Sequence, residues 1–163
     1  MSLLDIIIGC NEVSAKHGVG ITQLIEDRLI GLKVRGVYEQ PGGAILIKAH
    51  EKLEKLVSTR QTNELKATLD QEWAYLTYGA QWYDPCMKAI HAFQDSVNEF
   101  VTGTVTVELY KGNVTVVALD SKYSLFDSDL ATFDKNPKFN QNSSAGFIEL
   151  HNLAQKTAYN AHL

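Results

Sequence analysis

Between Glu26 and Glu39 the chain concentrates Glu26, Asp27, Arg28, Lys33, Arg35, Tyr38 and Glu39 within fourteen residues. A carboxylate grips an ammonium or ureido group through charge-assisted hydrogen bonds, and a phenol beside it donates or accepts. Together these side chains form the makings of a polar pocket for a zwitterionic amino acid. Alternating charge on an exposed strand explains the same pattern without any ligand. Around them Gly18, Gly20, Gly31, Gly36, Gly42 and Gly43 mark turns or close backbone approach.

Other chemistries find less support. The chain has no GxxxxGK[ST] or GxGxxG string. Gly42 and Gly43 precede a helix, but Pro41 removes a donor and no Ser, Thr or Lys follows at once, so a structural turn is the expected reading. His17, His50, His91, His151 and His162 are scattered without HxxxH or HExxH, so no metal site is expected. There is no GxSxG elbow, and neither Cys10 nor Cys86 has an electropositive local setting, so no catalytic residue is assigned. The two cysteines lie far apart with no CxxC, which points to buried thiols in a reducing, cytoplasmic setting.

With 15 Lys and Arg against 19 Asp and Glu the net charge is −4, and no basic run exceeds two residues. A nucleic-acid backbone therefore has no electrostatic partner here. The apolar start MSLLDIIIGC carries Asp5, lacks a basic leader and is far shorter than the roughly 20 residues that cross a bilayer, so neither secretion nor membrane anchoring is expected. At 163 residues the chain is expected to be a single domain.

The elements that position the charged ribbon follow from periodicity. Leu3, Leu4, Ile7, Ile8 and Val13 with Lys16, His17 and Gly18 predict a helix over 3–16. Ile21 to Glu39 reads as extended, with Lys33 and Arg35 on one face and Val34, Gly36 and Tyr38 on the other. Pro41 opens a helix through about Val57. A second runs from Leu65 to near Gly79, and a third starts at Asp84 and Pro85 with Met87, Ile90, Phe93, Val97 and Phe100 inward.

The aromatics Trp73, Tyr75, Tyr78, Trp82 and Tyr83 at the junction of these two helices read as core, with a stacking platform as the lesser alternative. Strands over 104–109 and 114–119 joined through Lys111, Gly112 and Asn113 form a hairpin. A short helix is expected around 124–133, and a last one capped by Ser143 or Ser144 with Phe147, Ile148, Leu150 and Leu153 as its apolar positions. The sum is α+β: a small, mostly antiparallel sheet flanked by helices, with a C-terminal helix suited to oligomer contacts.

NEVSAKHGVG, IEDRLIGLKVRGVYEQPGGAIL, VTVELYKGNVTVV and SSAGFIEL resemble argininosuccinate synthase over nearly all of the chain. The resemblance covers only the later, synthetase and multimerisation part of that enzyme. The family's SGGxDTS pyrophosphate loop belongs to its preceding half and does not occur here. The resemblance implies an ATP-dependent ligase of arginine biosynthesis and the urea cycle. In it the ureido oxygen of citrulline attacks the α-phosphorus, pyrophosphate leaves, and the aspartate amine then displaces AMP.

In the family motif E-[ND]-R-x-[IV]-G-[ML]-K-S-R-G-[IV]-Y-E the first acidic residue and the tyrosine contact citrulline, and they fall on Glu26 and Tyr38. ATP with magnesium is expected for the full-length enzyme and no cofactor for this part alone, which is expected to be inactive in isolation and to assemble as a tetramer. Val34, Gln40, Ala44 and Ile21 depart from the commoner family residues. The alternative is a non-catalytic domain that binds an amino acid or assembles subunits.

Overall fold

The computed structural model describes residues 1–130 and 138–163. They group into two compact units, Met1–Leu125 and Phe126–Leu163. Among the described residues the architecture is α+β: six helices and two separate two-stranded antiparallel hairpins.

In the first unit, α1 (Leu3–Lys16) begins where expected, because Ser2 and Asp5 cap it reciprocally: the Asp5 amide donates to Ser2 Oγ at 3.2 Å and the Ser2 amide to Asp5 Oδ2 at 3.0 Å. The extended stretch resolves into β1 (Ile21–Asp27) and β2 (Lys33–Glu39), paired from Ile21 with Glu39 to Asp27 with Lys33. Their connection closes through Arg28 N to Leu32 O at 2.8 Å and Gly31 N to Arg28 O at 2.7 Å.

Helix α2 (Pro41–Val57) follows at once, its proline in the first turn where no amide partner is lost. It packs on α1 at close range. A Cβ on Gly42 would lie 2.7 Å from Asn11 Oδ1 and 3.1 Å from the Ile7 carbonyl, so only glycine fits at that crossing. Helix α3 (Arg60–Tyr78) starts a turn and a half earlier than its apolar residues suggest, because Thr59 caps a polar first turn in which Arg60 pairs with Glu64.

Asp84 caps α4 (Pro85–Asn98) through the Cys86 amide at 2.7 Å. Met87 and Ile90 are fully buried with Leu76, and Leu69 and Trp73 pack against them; this is the α3–α4 core. Phe93 and Val97 are half-buried. Phe100 does not face inward as expected: it lies past the helix end, 46% exposed, edge-on to Tyr123.

The second hairpin is β3 (Thr104–Tyr110) and β4 (Asn113–Asp120), turning through Lys111 and Gly112, both at positive φ, which suits a tight hairpin turn. Its tip is tied to the end of α1 by the Gly112 amide, which donates to the His17 carbonyl at 2.7 Å.

The expected helix over 124–133 is not formed: 124–130 is loop and turn, and 131–133 lies outside the described residues. Asp127 takes the local amides instead, accepting from Asp129 N at 2.9 Å, and its carboxylate is held by Lys138 at 2.7 Å, so side chain and backbone favour a turn over a helix. In the second unit the expected terminal helix is two, α5 (Ser143–His151) and α6 (Leu153–Ala161). Asn152 interrupts them, donating from its side chain to the Ile148 carbonyl at 2.9 Å. Asn142, not Ser143 or Ser144, occupies the cap position of α5.

Candidate functional site

Because successive strand residues alternate between faces, the pairing of Leu24 with Gly36 places Thr22, Leu24, Glu26, Val34, Gly36 and Tyr38 on one face of the first hairpin. Asp27, Lys33, Arg35 and Glu39 share the other. The seven polar side chains therefore do not line one pocket. On the far face Lys33 pairs with Asp27 at 2.6 Å, and the Arg35 guanidinium lies against the Gln23 side-chain amide, whose oxygen accepts from Arg35 Nε at 2.7 Å when turned toward it. Glu39 borders a separate small crevice with Ala15, Val19 and Pro41. All of this is exposed surface charge, worth little to stability.

Glu26 and Tyr38 converge. The Tyr38 hydroxyl donates to Glu26 Oε1 at 2.6 Å, although the two residues are not directly opposite in the register. Tyr38 reaches Glu26 by laying its ring across Gly36. A Cβ there would sit 2.5 Å from Tyr38 Cε2 and 2.9 Å from its hydroxyl, so the absence of a side chain at Gly36 is what opens the path.

Arg28 completes the group, with Nη2 4.0 Å from Glu26 Oε1 and Nη1 donating to Tyr78 Oη at 3.2 Å. Tyr78 is the last residue of α3, fifty positions away in sequence. Sequence reasoning placed it in the aromatic junction and missed it here, because no local pattern announces a contact at that separation.

The arrangement offers a ligand mainly acceptors. With its proton committed to Glu26, the Tyr38 oxygen presents lone pairs, and Glu26 Oε2 has no hydrogen bond among the described residues. Two acceptors side by side suit a group with several N–H donors, an ammonium or a ureido nitrogen. Glu26, with 22% of its side chain exposed, is shielded enough to orient yet open enough to be reached.

The hydrogen bond to Glu26, then burial and the nearby carboxylate charge, raise the Tyr38 phenol above its ordinary value; Arg28 opposes this. The bond to Tyr78 raises the Arg28 guanidinium further still. The protonated form of Tyr38 is therefore favoured in the folded chain, so the Tyr38–Glu26 bond is intact at neutral pH and is lost only as pH climbs through that raised value, above the ordinary phenol range. Glu26→Gln is expected to bring the Tyr38 titration down toward the ordinary phenol range, read by NMR of labelled tyrosine ring carbons; an unmoved titration would mean the carboxylate does not hold the phenol.

Two alternatives can be weighed on geometry. At the start of α2 the Gly42 amide already donates to Asn11 Oδ1 at 2.7 Å and the Ala44 amide to the Gln40 carbonyl at 2.9 Å, so this helix end is a structural turn and not a phosphate cradle. The aromatic junction is core only at Trp73, which packs against Leu76, Met87 and Ile90, donates from Nε1 to His91 Nε2 at 3.0 Å and meets Trp82 edge-on; Tyr75, Tyr78, Trp82 and Tyr83 are exposed, contrary to expectation. Among the described residues no three His, Cys, Asp or Glu side chains gather as a metal site, and no helix is long and apolar enough to cross a membrane.

The family model of the arginosuccinate synthase C-terminal domain matches residues 1–158. The argininosuccinate synthase of Pyrococcus furiosus is 44% identical over 160 residues, covering 98% of this chain and 39% of its own length. That of Carboxydothermus hydrogenoformans is 45% identical over 156 residues, 96% of this chain and 39% of its own. That of Leptospira biflexa is 44% identical over 156 residues, with the same two shares. The chain thus spans about two fifths of the length of the curated relatives it matches.

Proposed function

Because the chain belongs to the argininosuccinate synthase C-terminal domain family, we propose that it supplies the citrulline-binding part of a ligase joining citrulline to aspartate, with Glu26 and Tyr38 as the binding residues. The observation that carries this is the 2.6 Å contact between Tyr38 Oη and Glu26 Oε1, which sets two acceptors side by side.

In this reading Glu26 and Tyr38 hold donor groups of citrulline so that its ureido oxygen is presented in line to the α-phosphorus of ATP. The contribution is orientation: neither residue moves a proton in the reaction, and the benefit comes from fixing a near-attack geometry. The Gly42 and Ala44 amides at the start of α2 are already bonded, which makes that turn a poor cradle for a triphosphate. ATP, its magnesium and aspartate are therefore assigned to a nucleotide-holding half, the chain alone being inactive, in arginine biosynthesis in the cytoplasm.

Leu3, Leu4 and Ile8 on α1, and Ile25 and Ile30 on the first hairpin and its loop, stand exposed in the first unit. Apolar surface of this extent supports contact with such a half and with other subunits of a tetramer. The test is AMP release from citrulline and aspartate by the chain assembled with an argininosuccinate synthase nucleotide-binding half. Tyr38→Phe is expected to raise the citrulline KM about tenfold, the worth of one hydrogen bond to a polar ligand. Unchanged kinetics in an active assembly would remove Tyr38 from the site.

A further inference from the structure

Glu26 lies near the turn end of β1, where one hydrogen bond from Tyr38 holds a single carboxylate oxygen. A second constraint comes from Arg28, two residues on and past the strand end. Its guanidinium is a rigid fork: Nη1 is tied to Tyr78 Oη, and Nη2 stands 4.0 Å from the oxygen that Tyr38 also bonds. Phenol and guanidinium thus both act on the same atom, Oε1, and together restrain the carboxylate more than either does alone.

Tyr78 makes this possible. Arg28 follows the ordered strand but is half-exposed, and a long cationic side chain there sweeps many rotamers unless something holds it. The C-terminal residue of α3 provides the anchor, and α3 is itself fixed by the Leu76–Met87–Ile90 core, in which Leu76 lies two residues before Tyr78.

We propose that Arg28, anchored by Tyr78, is a positioning residue that holds the plane of the Glu26 carboxylate in the orientation that meets the ligand. The consequence for citrulline rests on the function proposed above; the orientation of Glu26 does not.

Two readouts separate these. In the chain itself, Arg28→Met removes the cation that opposes Glu26 at the phenol, so Tyr38 is expected to titrate higher than in the parent, while Arg28→Lys, which keeps the charge, returns it toward the parent midpoint. In the assembled enzyme, Tyr78→Phe, which keeps the ring and removes only the anchor oxygen, is expected to raise the citrulline KM about three- to tenfold with kcat within about twofold. A merely structural Tyr78 would lower stability and leave that KM alone. Parent values for both the Tyr38 midpoint and the KM overturn the inference. If Glu26→Gln shifts the KM while Arg28→Met and Tyr78→Phe do not, the positioning role fails and the binding role of Glu26 stands. If Glu26→Gln leaves the KM unchanged while Arg28→Met still shifts Tyr38, only the electrostatic contact of Arg28 with the Tyr38–Glu26 pair stands and the positioning role and the citrulline reading both fail.

Discussion

Gly36→Ala is expected to abolish the Tyr38–Glu26 hydrogen bond, for a reason visible in one distance. The new Cβ would lie 2.5 Å from Tyr38 Cε2, far inside van der Waals contact, so the ring must lift off the strand. Neighbouring backbone does not relieve this, because Gly36 is locked in the ladder opposite Leu24. Once lifted, the phenol no longer reaches Glu26, and the two acceptors of the proposed site no longer stand side by side. The citrulline KM of the assembled enzyme should rise by about tenfold or more, since the loss of one hydrogen bond is compounded by a misdirected carboxylate.

Folding should survive. Alanine replaces glycine in a strand interior at little intrinsic cost, so the unfolding free energy should stay within about 1 kcal/mol of the parent. Reading the Tyr38 titration alongside the kinetics isolates the effect: a midpoint falling toward ordinary phenols together with the raised KM supports the reasoning, and an unmoved midpoint contradicts it.

Lys66→Met should produce the largest loss of stability. Lys66 and Glu54, with 16% and 9% of their side chains exposed, face each other between α3 and α2 at 3.2 Å, and Lys66 also bonds Asp70 Oδ2 at 2.5 Å. Glu54 Oε1 gains charge contact from Lys66 and lies 3.4 Å from His50 Nδ1, without an aligned hydrogen bond, so it depends on the ammonium for compensation.

Removing that ammonium leaves a carboxylate nearly out of water. Deep pairs broken this way cost about 3–5 kcal/mol, and the residual exposure here reduces the expected loss to about 2–3 kcal/mol, a fall in Tm of roughly 5–10 °C. Adding Glu54→Gln to Lys66→Met should recover part of it in urea unfolding. Burial works against the Lys66 charge, but the bond to Asp70 and the charges of Glu54 and Asp70 outweigh it, so its pKa is raised. The stabilisation is therefore fully present at neutral pH and is lost only as pH rises through that raised value, above the ordinary lysine range.

What the sequence made legible is what short-range chemistry determines. The bounds of α1 follow from the apolar spacing that begins at Leu3 and the Lys16-His17-Gly18 stop, α2 opens at Pro41, and the second hairpin follows from β-branched runs around Lys111 and Gly112. The start of α3 was not legible, because a polar first turn leaves no periodic apolar mark. The turn at 127–130 and the break at Asn152 were hidden for a related reason: one Asp or Asn side chain competes with helical bonding without altering the surrounding pattern.

At the site, alternation alone placed Tyr38 opposite Lys33 and Arg35. The register that brings Glu26 to the same face as Tyr38 depends on the 28–32 connection, and the Arg28–Tyr78 bond on how α3 packs. Those are tertiary facts, and Gly36 acquired its meaning only with them.

The most direct test is to follow the Tyr38 ring-carbon resonance, assigned with Tyr38→Phe, while citrulline is added to the chain assembled with a nucleotide-binding half. A saturable shift of that resonance, lost in Glu26→Gln, is the expected result. Turnover of citrulline with the Tyr38 signal standing still throughout would contradict the proposed cradle.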